Sequence, residues 1–226
     1  MRASTVRNKL LPDLHGKCPV PEQFRTLRTN IQFSTIDDEA KSIAITSAQS
    51  GEGKTITAAN LAIAYAMEEK NVLLIDGDLR KPSIHRLFAC SNRIGLSNVL
   101  VNQNTLEEAI TQTHGTGVSI LPSGPTPPNP AELLGSKRMT ALMERVYSQF
   151  DIILVDTPST LAVTDSQILA AKCDGVLLVF SSGKLKRDNA KKAIDRLKFV
   201  NARIIGSVLN NSAYARNESS SYYLNG

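Results

Sequence analysis

The chain has 226 residues, 42% of them apolar, and a formal net charge of +5 from 26 Lys and Arg against 21 Asp and Glu. That length and apolar content suit one α/β domain with tails rather than two full domains, and no stretch approaches the roughly 20 consecutive apolar residues of a membrane span. Cys18, Cys90 and Cys173 are far apart and show no CxxC spacing, and His15, His85 and His114 are scattered, which excludes a disulfide framework and a zinc site.

The opening stretch Met1–Gly16 lacks the apolar core of a signal peptide, so a cytoplasmic protein with an irregular N-terminal segment over 1–20 is expected. The spacing predicts a helix over Pro21–Ser34, with Phe24, Leu27 and Ile31 on its buried side and Glu22, Arg25 and Arg28 sharing another face. From Ile43 onward short apolar strands alternate with helical patterns: strand Ile43–Thr46, helix Thr55–Glu69, strand Val72–Asp76, strand Val118–Leu121, a helix near Ala131–Gln149 and strand Ile152–Asp156. A helix over Asp165–Lys172, strand Val176–Phe180, a basic helix and strand Arg203–Leu209 continue the pattern. Such alternation specifies a mostly parallel, doubly wound sheet with helices on both faces, and runs such as VLLI and IILV suit strands covered on both sides.

Thr105-Leu106-Glu107-Glu108 has capping-box spacing and predicts a short helix, whereas Pro122–Pro130 predicts a shaped loop. In the basic helix, Lys184, Lys186, Arg187, Lys191, Lys192, Arg196 and Lys198 read as a solvent-facing surface over Ala190, Ala193, Ile194 and Leu197, so nucleic acid is not the expected partner. The segment 211–226 is rich in Ser, Asn and Tyr without apolar periodicity and reads as a flexible tail.

The chemistry concentrates at Ala48-Gln49-Ser50-Gly51-Glu52-Gly53-Lys54-Thr55, directly after the first core strand. This is a phosphate-binding loop with Ala48 where the pattern has its first glycine. Glycines let backbone N–H groups curl around an anion, the following helix directs its positive end at the same point, Lys54 can reach the β- and γ-phosphates, and the Thr55 hydroxyl can bind Mg²⁺. Two further strands end in acids, at LLIDGD and IILVDTP. In a parallel sheet the C-terminal strand ends converge, so Asp76, Asp78 and Asp156 can surround the same phosphates, and acids beside a polyphosphate call for a hard cation between them.

With the phosphate loop, the LLIDGDLRKP motif, IILVDTP, the SGPTPPNPAELL loop and the Glu22-xx-Arg25-xx-Arg28 helix together, the chain from about Pro21 to Asn210 resembles the bacterial tyrosine kinases. It is most like the separate cytoplasmic kinases of Gram-positive capsule and exopolysaccharide systems. The resemblance implies transfer of the ATP γ-phosphoryl group to tyrosines of its own tail and of other proteins, within a kinase domain over 21–210. It implies nucleotide contacts from Ser50, Gly51, Glu52, Gly53, Lys54, Thr55 and Ile56, and from Asn210 at the adenine. It further implies catalytic roles for Lys54, Asp76 and Asp78, with Asp76 orienting or deprotonating the tyrosine, and a Mg²⁺ shell drawn from Thr55, Asp78 and Asp156.

Tyr222, Tyr223 and Tyr214 are the implied autophosphorylation sites, Glu22, Arg25 and Arg28 the implied contacts of a homo-oligomeric ring, and a membrane adaptor with a cytosolic tail the implied partner that recruits the protein peripherally to the membrane. Replacing Arg25 and Arg28 is then expected to affect assembly and leave stability near wild type. The rival class is a partition or cell-division ATPase that switches partners without kinase activity, in which a signature lysine stands where this chain has Gln49. A catalytically idle assembly subunit is a third class, disfavoured by the retention of Lys54, Thr55 and all three acids.

Overall fold

The computed structural model describes residues 22–36, 39–113, 115–184 and 186–211. Helix α1 (Glu22–Ser34) precedes strand β1 (Ser42–Ser47), helix α2 (Lys54–Ala66) and strand β2 (Val72–Asp76). Short helices α3 (Ile84–Leu87), α4 (Leu96–Leu100) and α5 (Leu106–Ala109) lead to strands β3 (Thr111–Gln112) and β4 (Val118–Leu121). Then come α6 (Pro130–Gly135), α7 (Lys137–Gln149), β5 (Ile152–Asp156), α8 (Asp165–Ala170), β6 (Gly175–Ser181), α9 (Arg187–Phe199) and β7 (Ile204–Asn210).

The seven strands lie in the order β3-β4-β2-β5-β1-β6-β7, all parallel except the β3–β4 pair. Side chains alternate across each strand, and in β1, β2, β4 and β5 both sets are buried, which is why these strands read as continuous apolar runs, whereas the edge strands β3 and β7 are partly exposed. Ile43, Ile45, Leu74 and Leu154 face the layer of α1 and α2, while Leu73, Ile75, Ile153 and Val155 face α4, α6 and α7. Ala44, Val176 and Leu178 pack on Leu197 of α9, whose cations Lys191, Lys192 and Lys198 are exposed as expected of a solvated face. Helix α2 is buried from Thr57 to Tyr65 and forms the centre of its layer.

Several boundaries differ from the expected ones. Helix α2 stops at Ala66 rather than Glu69, which adopts a left-handed φ of 59° and ends the helical run. The helix expected near Ala131–Gln149 is two helices, because Ser136 is extended at ψ 158° and its hydroxyl caps α7 by accepting from the Met139 N–H. Pro130 belongs to the first turn of α6 rather than to the preceding loop, since its fixed φ suits that position. Helix α8 closes at Ala170, two residues earlier than expected. The capping box at Thr105 and Glu108 forms as read.

The Glu22, Arg25, Arg28 stripe divides. Arg25 and Glu22 form an exposed pair at 3.7 Å, but the Arg28 side chain is only 11% exposed and turns inward. Its Nη1 donates to the Ala64 carbonyl at 2.6 Å and its Nη2 pairs with Glu68, so it satisfies one of the last, otherwise open, carbonyls of α2. The expectation that both arginines are dispensable for stability is therefore corrected for Arg28. Arg28→Ala is expected to lower unfolding stability by about 1.5–3 kcal/mol, the scale of a charge-assisted bond with a part-buried partner. Arg25→Ala should cost less than ~0.5 kcal/mol, as exposed pairs do. Urea unfolding of the two single variants checks the contrast.

Candidate nucleotide and phosphoryl-transfer site

The C-terminal ends of β1, β2 and β5 converge on one side of the sheet. The chain leaves β1 at Ser47, whose hydroxyl donates to the Gln49 carbonyl at 2.8 Å, and the Glu52 carboxylate accepts from the Gln49 N–H at 2.7 Å. Glu52 thus folds back on the loop as a buried brace, with its second oxygen buried and unpartnered. Gly51 and Gly53 hold φ values of 84° and 96°, which only glycine adopts without strain. At Gly53 space is a second reason, since a Cβ would lie 2.0 Å from the Asn210 amide nitrogen. Ser50 and Gly51 are exposed at the loop tip, and Ile56 packs beneath the loop against the core. The backbone amides at the start of α2 and the helix dipole together form an anion site.

Asp76 and Asp156 are neighbours in the β2–β5 register, and the Gly77 N–H donates to the Asp156 carbonyl at 2.8 Å. One oxygen of Asp76 accepts from the Ser83 and Ile84 N–H groups, both at 3.0 Å, while Oδ1 is buried without a partner. Burial, and then the charge of Asp156, push the Asp76 carboxyl up to about 7 against those two donors. Burial likewise raises Asp156, offset by Lys54 and by the Thr55 hydroxyl, which donates to its Oδ2 at 2.7 Å. Lys54 Nζ lies 3.7 Å from both Asp78 Oδ2 and Asp156 Oδ1, so one cation stands between two acids. Asp78 Oδ1 accepts from the Lys81 N–H at 3.0 Å.

The structure therefore brings together Lys54, Thr55, Asp76, Asp78 and Asp156. Asn210 Nδ2 donates to the Glu52 carbonyl at 3.1 Å and its Oδ1 accepts from the Asn211 N–H, so Asn210 ties the end of β7 to the phosphate loop. Tyr214, Tyr222 and Tyr223 lie outside the described residues. Sequence reading passed over Arg80 within the LLIDGDLRKP motif. Its guanidinium forms a two-pronged bond to the wholly buried Asp165, a pairing whose members are 85 positions apart and carry no local signal.

Among the described residues no group of three or more His, Cys, Asp and Glu side chains is placed to cage a metal ion by itself. The oxygen donors present nevertheless fit a hard cation of the Mg²⁺ type, which takes one or two carboxylates, a hydroxyl, water and substrate phosphate rather than an all-protein cage. The buried Asp156 Oδ1, which accepts no hydrogen bond and has Lys54 Nζ at 3.7 Å, beside the Thr55 hydroxyl, is the observation that fits it.

A phosphate loop feeding a buried central helix, with carboxylates at adjacent parallel strand ends, defines a P-loop nucleotide-hydrolase fold. Residues 40–210 match the AAA domain family. The chain is 42% identical over 222 residues to tyrosine-protein kinase YwqD of Bacillus subtilis, covering 98% of this chain and 94% of that protein. Among solved structures it is similar to the kinase domain of the Escherichia coli tyrosine kinase Etk, with TM-score 0.82, 33% identity and coverage of 89% and 80% of the two chains. The chimeric protein CapA2B2 gives TM-score 0.83, 37% identity and coverage of 88% and 87%. The cell-division ATPase MinD of Pyrococcus furiosus is more distant, at TM-score 0.67 and 26% identity over 78% of this chain and 74% of that one. The chain belongs to the bacterial tyrosine-protein kinases and is an ATP-dependent protein-tyrosine kinase. No helix among the described residues is long and apolar enough to cross a membrane.

Proposed function

We propose that this kinase phosphorylates Tyr222, Tyr223 and Tyr214 of its own tail together with tyrosines of other proteins, in the control of capsular or exopolysaccharide synthesis. The observation that carries the chemistry is buried Asp76, held by two backbone donors on one oxygen and free on the other. A carboxyl displaced to about 7 is matched to accepting a proton at neutral pH, and Oδ1 is the atom that takes the tyrosine proton. Lys54 and the loop amides neutralise charge on the transferring phosphoryl group, while Glu52 and Asn210 hold the loop in shape. Thr55, Asp78 and Asp156 would hold Mg²⁺, which would supply positive charge to offset that of the phosphates.

A membrane adaptor with a cytosolic tail is the proposed activator, and a homo-oligomeric ring is the proposed assembly. Exposed Glu22 and Arg25 are available to a neighbouring subunit, while Arg28 fixes the helix that presents them. A stable Arg25→Ala variant that assembles into smaller particles by light scattering supports that surface.

The central test is to incubate the purified chain with ATP and Mg²⁺, with and without an adaptor-tail peptide, and to map phosphotyrosine by mass spectrometry. Modification at Tyr222 and Tyr223 is expected. ATP hydrolysis with no phosphotyrosine under either condition would return the chain to the rival ATPase-switch reading.

A further inference from the structure

We infer that Arg80 is a positioning residue for the Lys54–Asp78 pair, acting through a clamp onto Asp165; the inference rests on the Mg²⁺ and nucleotide reading above. Asp165 opens α8 and has no exposed surface, so its carboxylate needs a partner inside the protein. Arg80 supplies both bonds, Nε to Oδ2 at 2.8 Å and Nη2 to Oδ1 at 3.1 Å. Two parallel N–H donors on two carboxylate oxygens fix orientation as well as distance, which a lysine cannot do.

The same helix meets the acid-bearing loop a second time. A Cβ built on Gly77 would stand 2.7 Å from Leu169 Cδ1 of α8 and 2.8 Å from the Asp156 carbonyl, so Gly77 lies flat between α8 and the end of β5. Asp78 is carried between these two anchorages, Gly77 on one side and Arg80 on the other, with Leu79 fully buried. Its Oδ1 is committed to the Lys81 N–H, which leaves Oδ2 as the atom facing Lys54 at 3.7 Å. The Gly77 anchorage is backbone packing. The Arg80–Asp165 clamp is the side-chain anchorage, and it joins the loop after β2 to the helix that follows the Asp156 strand. Loss of the fork frees Asp78 to swing while the fold and the phosphate loop, on β1 and α2, stay in place.

A clamp that only stabilises the fold would lower the melting temperature of variants without moving their Mg²⁺ requirement, so the test reads Mg²⁺. Binding of a fluorescent ATP analogue to the full chain is titrated with Mg²⁺ for wild type, Arg80→Lys and Asp165→Asn, and repeated in chelator. Both variants are expected to raise the half-saturating Mg²⁺ about tenfold, the usual scale for groups that orient a metal ligand, with binding in chelator within about twofold of wild type. Arg80→Lys keeps the charge and removes the fork, and it decides the question if Asp165→Asn does not fold. Wild-type Mg²⁺ dependence that a folded Arg80→Lys chain retains unchanged overturns the inference alone. Wild-type binding that ignores Mg²⁺ overturns the underlying reading and the inference with it.

Discussion

Lys54→Met is expected to reduce phosphotyrosine formation by 10³-fold or more, since removal of a single preorganised charge-stabilising group costs on the order of 10²–10³ and this cation has no substitute in the site. The geometry sharpens the reason. Lys54 stands 3.7 Å from two separate carboxylates, and its side chain is 15% exposed, so it offsets buried negative charge as well as meeting phosphate. Without it Asp156 and Asp78 confront each other with only the Thr55 hydroxyl and the Lys81 N–H as donors. The Asp156 carboxyl then loses the cation that offsets its burial, and the thermal midpoint falls by a few degrees, about 1 kcal/mol in a domain of this size, while the fold is retained. Phosphotyrosine immunodetection alongside a thermal melt measures both, and an undiminished phosphotyrosine yield would remove Lys54 from the mechanism.

Asp76→Asn is expected to separate function from stability in the opposite sense, abolishing tyrosine phosphorylation while making the protein more stable. The amide oxygen can still accept from the Ser83 and Ile84 N–H groups, so the local turn survives. What disappears is a buried charge beside Asp156. The Asp76 carboxyl is raised from 3.8 to about 7 on folding, so the native state binds its proton more tightly than the unfolded chain does. The stability associated with that proton is fully present below about pH 4 and is lost as pH rises toward about 7.

The variant escapes this loss. Its advantage over wild type should be small at pH 4, grow through that window and level off above it, reaching on the order of 1 kcal/mol or more. Wild-type activity runs the other way, because the base must be ionised, and it should rise with pH through about 7. Paired melts and initial rates from pH 5 to pH 8.5 check both slopes. A variant that is less stable than wild type at pH 8 would mean that the carboxylate is paired rather than isolated.

Much of this site was legible in the chain because its signals are local. A phosphate loop must follow a strand and open a helix, and the residues from Ile43 to Thr55 carry strand, glycines, cation and hydroxyl in one run. The apolar runs before Asp76 and Asp156 likewise marked them as strand ends, and parallel strands converge at those ends whatever their order. The Thr105 capping box is equally local and formed as read. The short helices α3 and α4 and the antiparallel β3 carry too few residues to show a period, so no local signal predicts them.

The amino-acid order by itself thus determined the doubly wound class, the phosphate loop and the identity of the acids, since propensity, periodicity and loop chemistry act over a few neighbouring residues. Only the tertiary structure decided which charges meet. It turned Arg28 from an exposed stripe onto the end of α2, and joined Asn210 to the phosphate loop across 158 positions. It also locked Arg80 to Asp165 and seated Asp76 beside Asp156, where burial displaces both carboxyls. The reason is physical: the cost of a buried charge depends on the solvent and partners around it, and those are set by strand order and helix packing rather than by sequence neighbours.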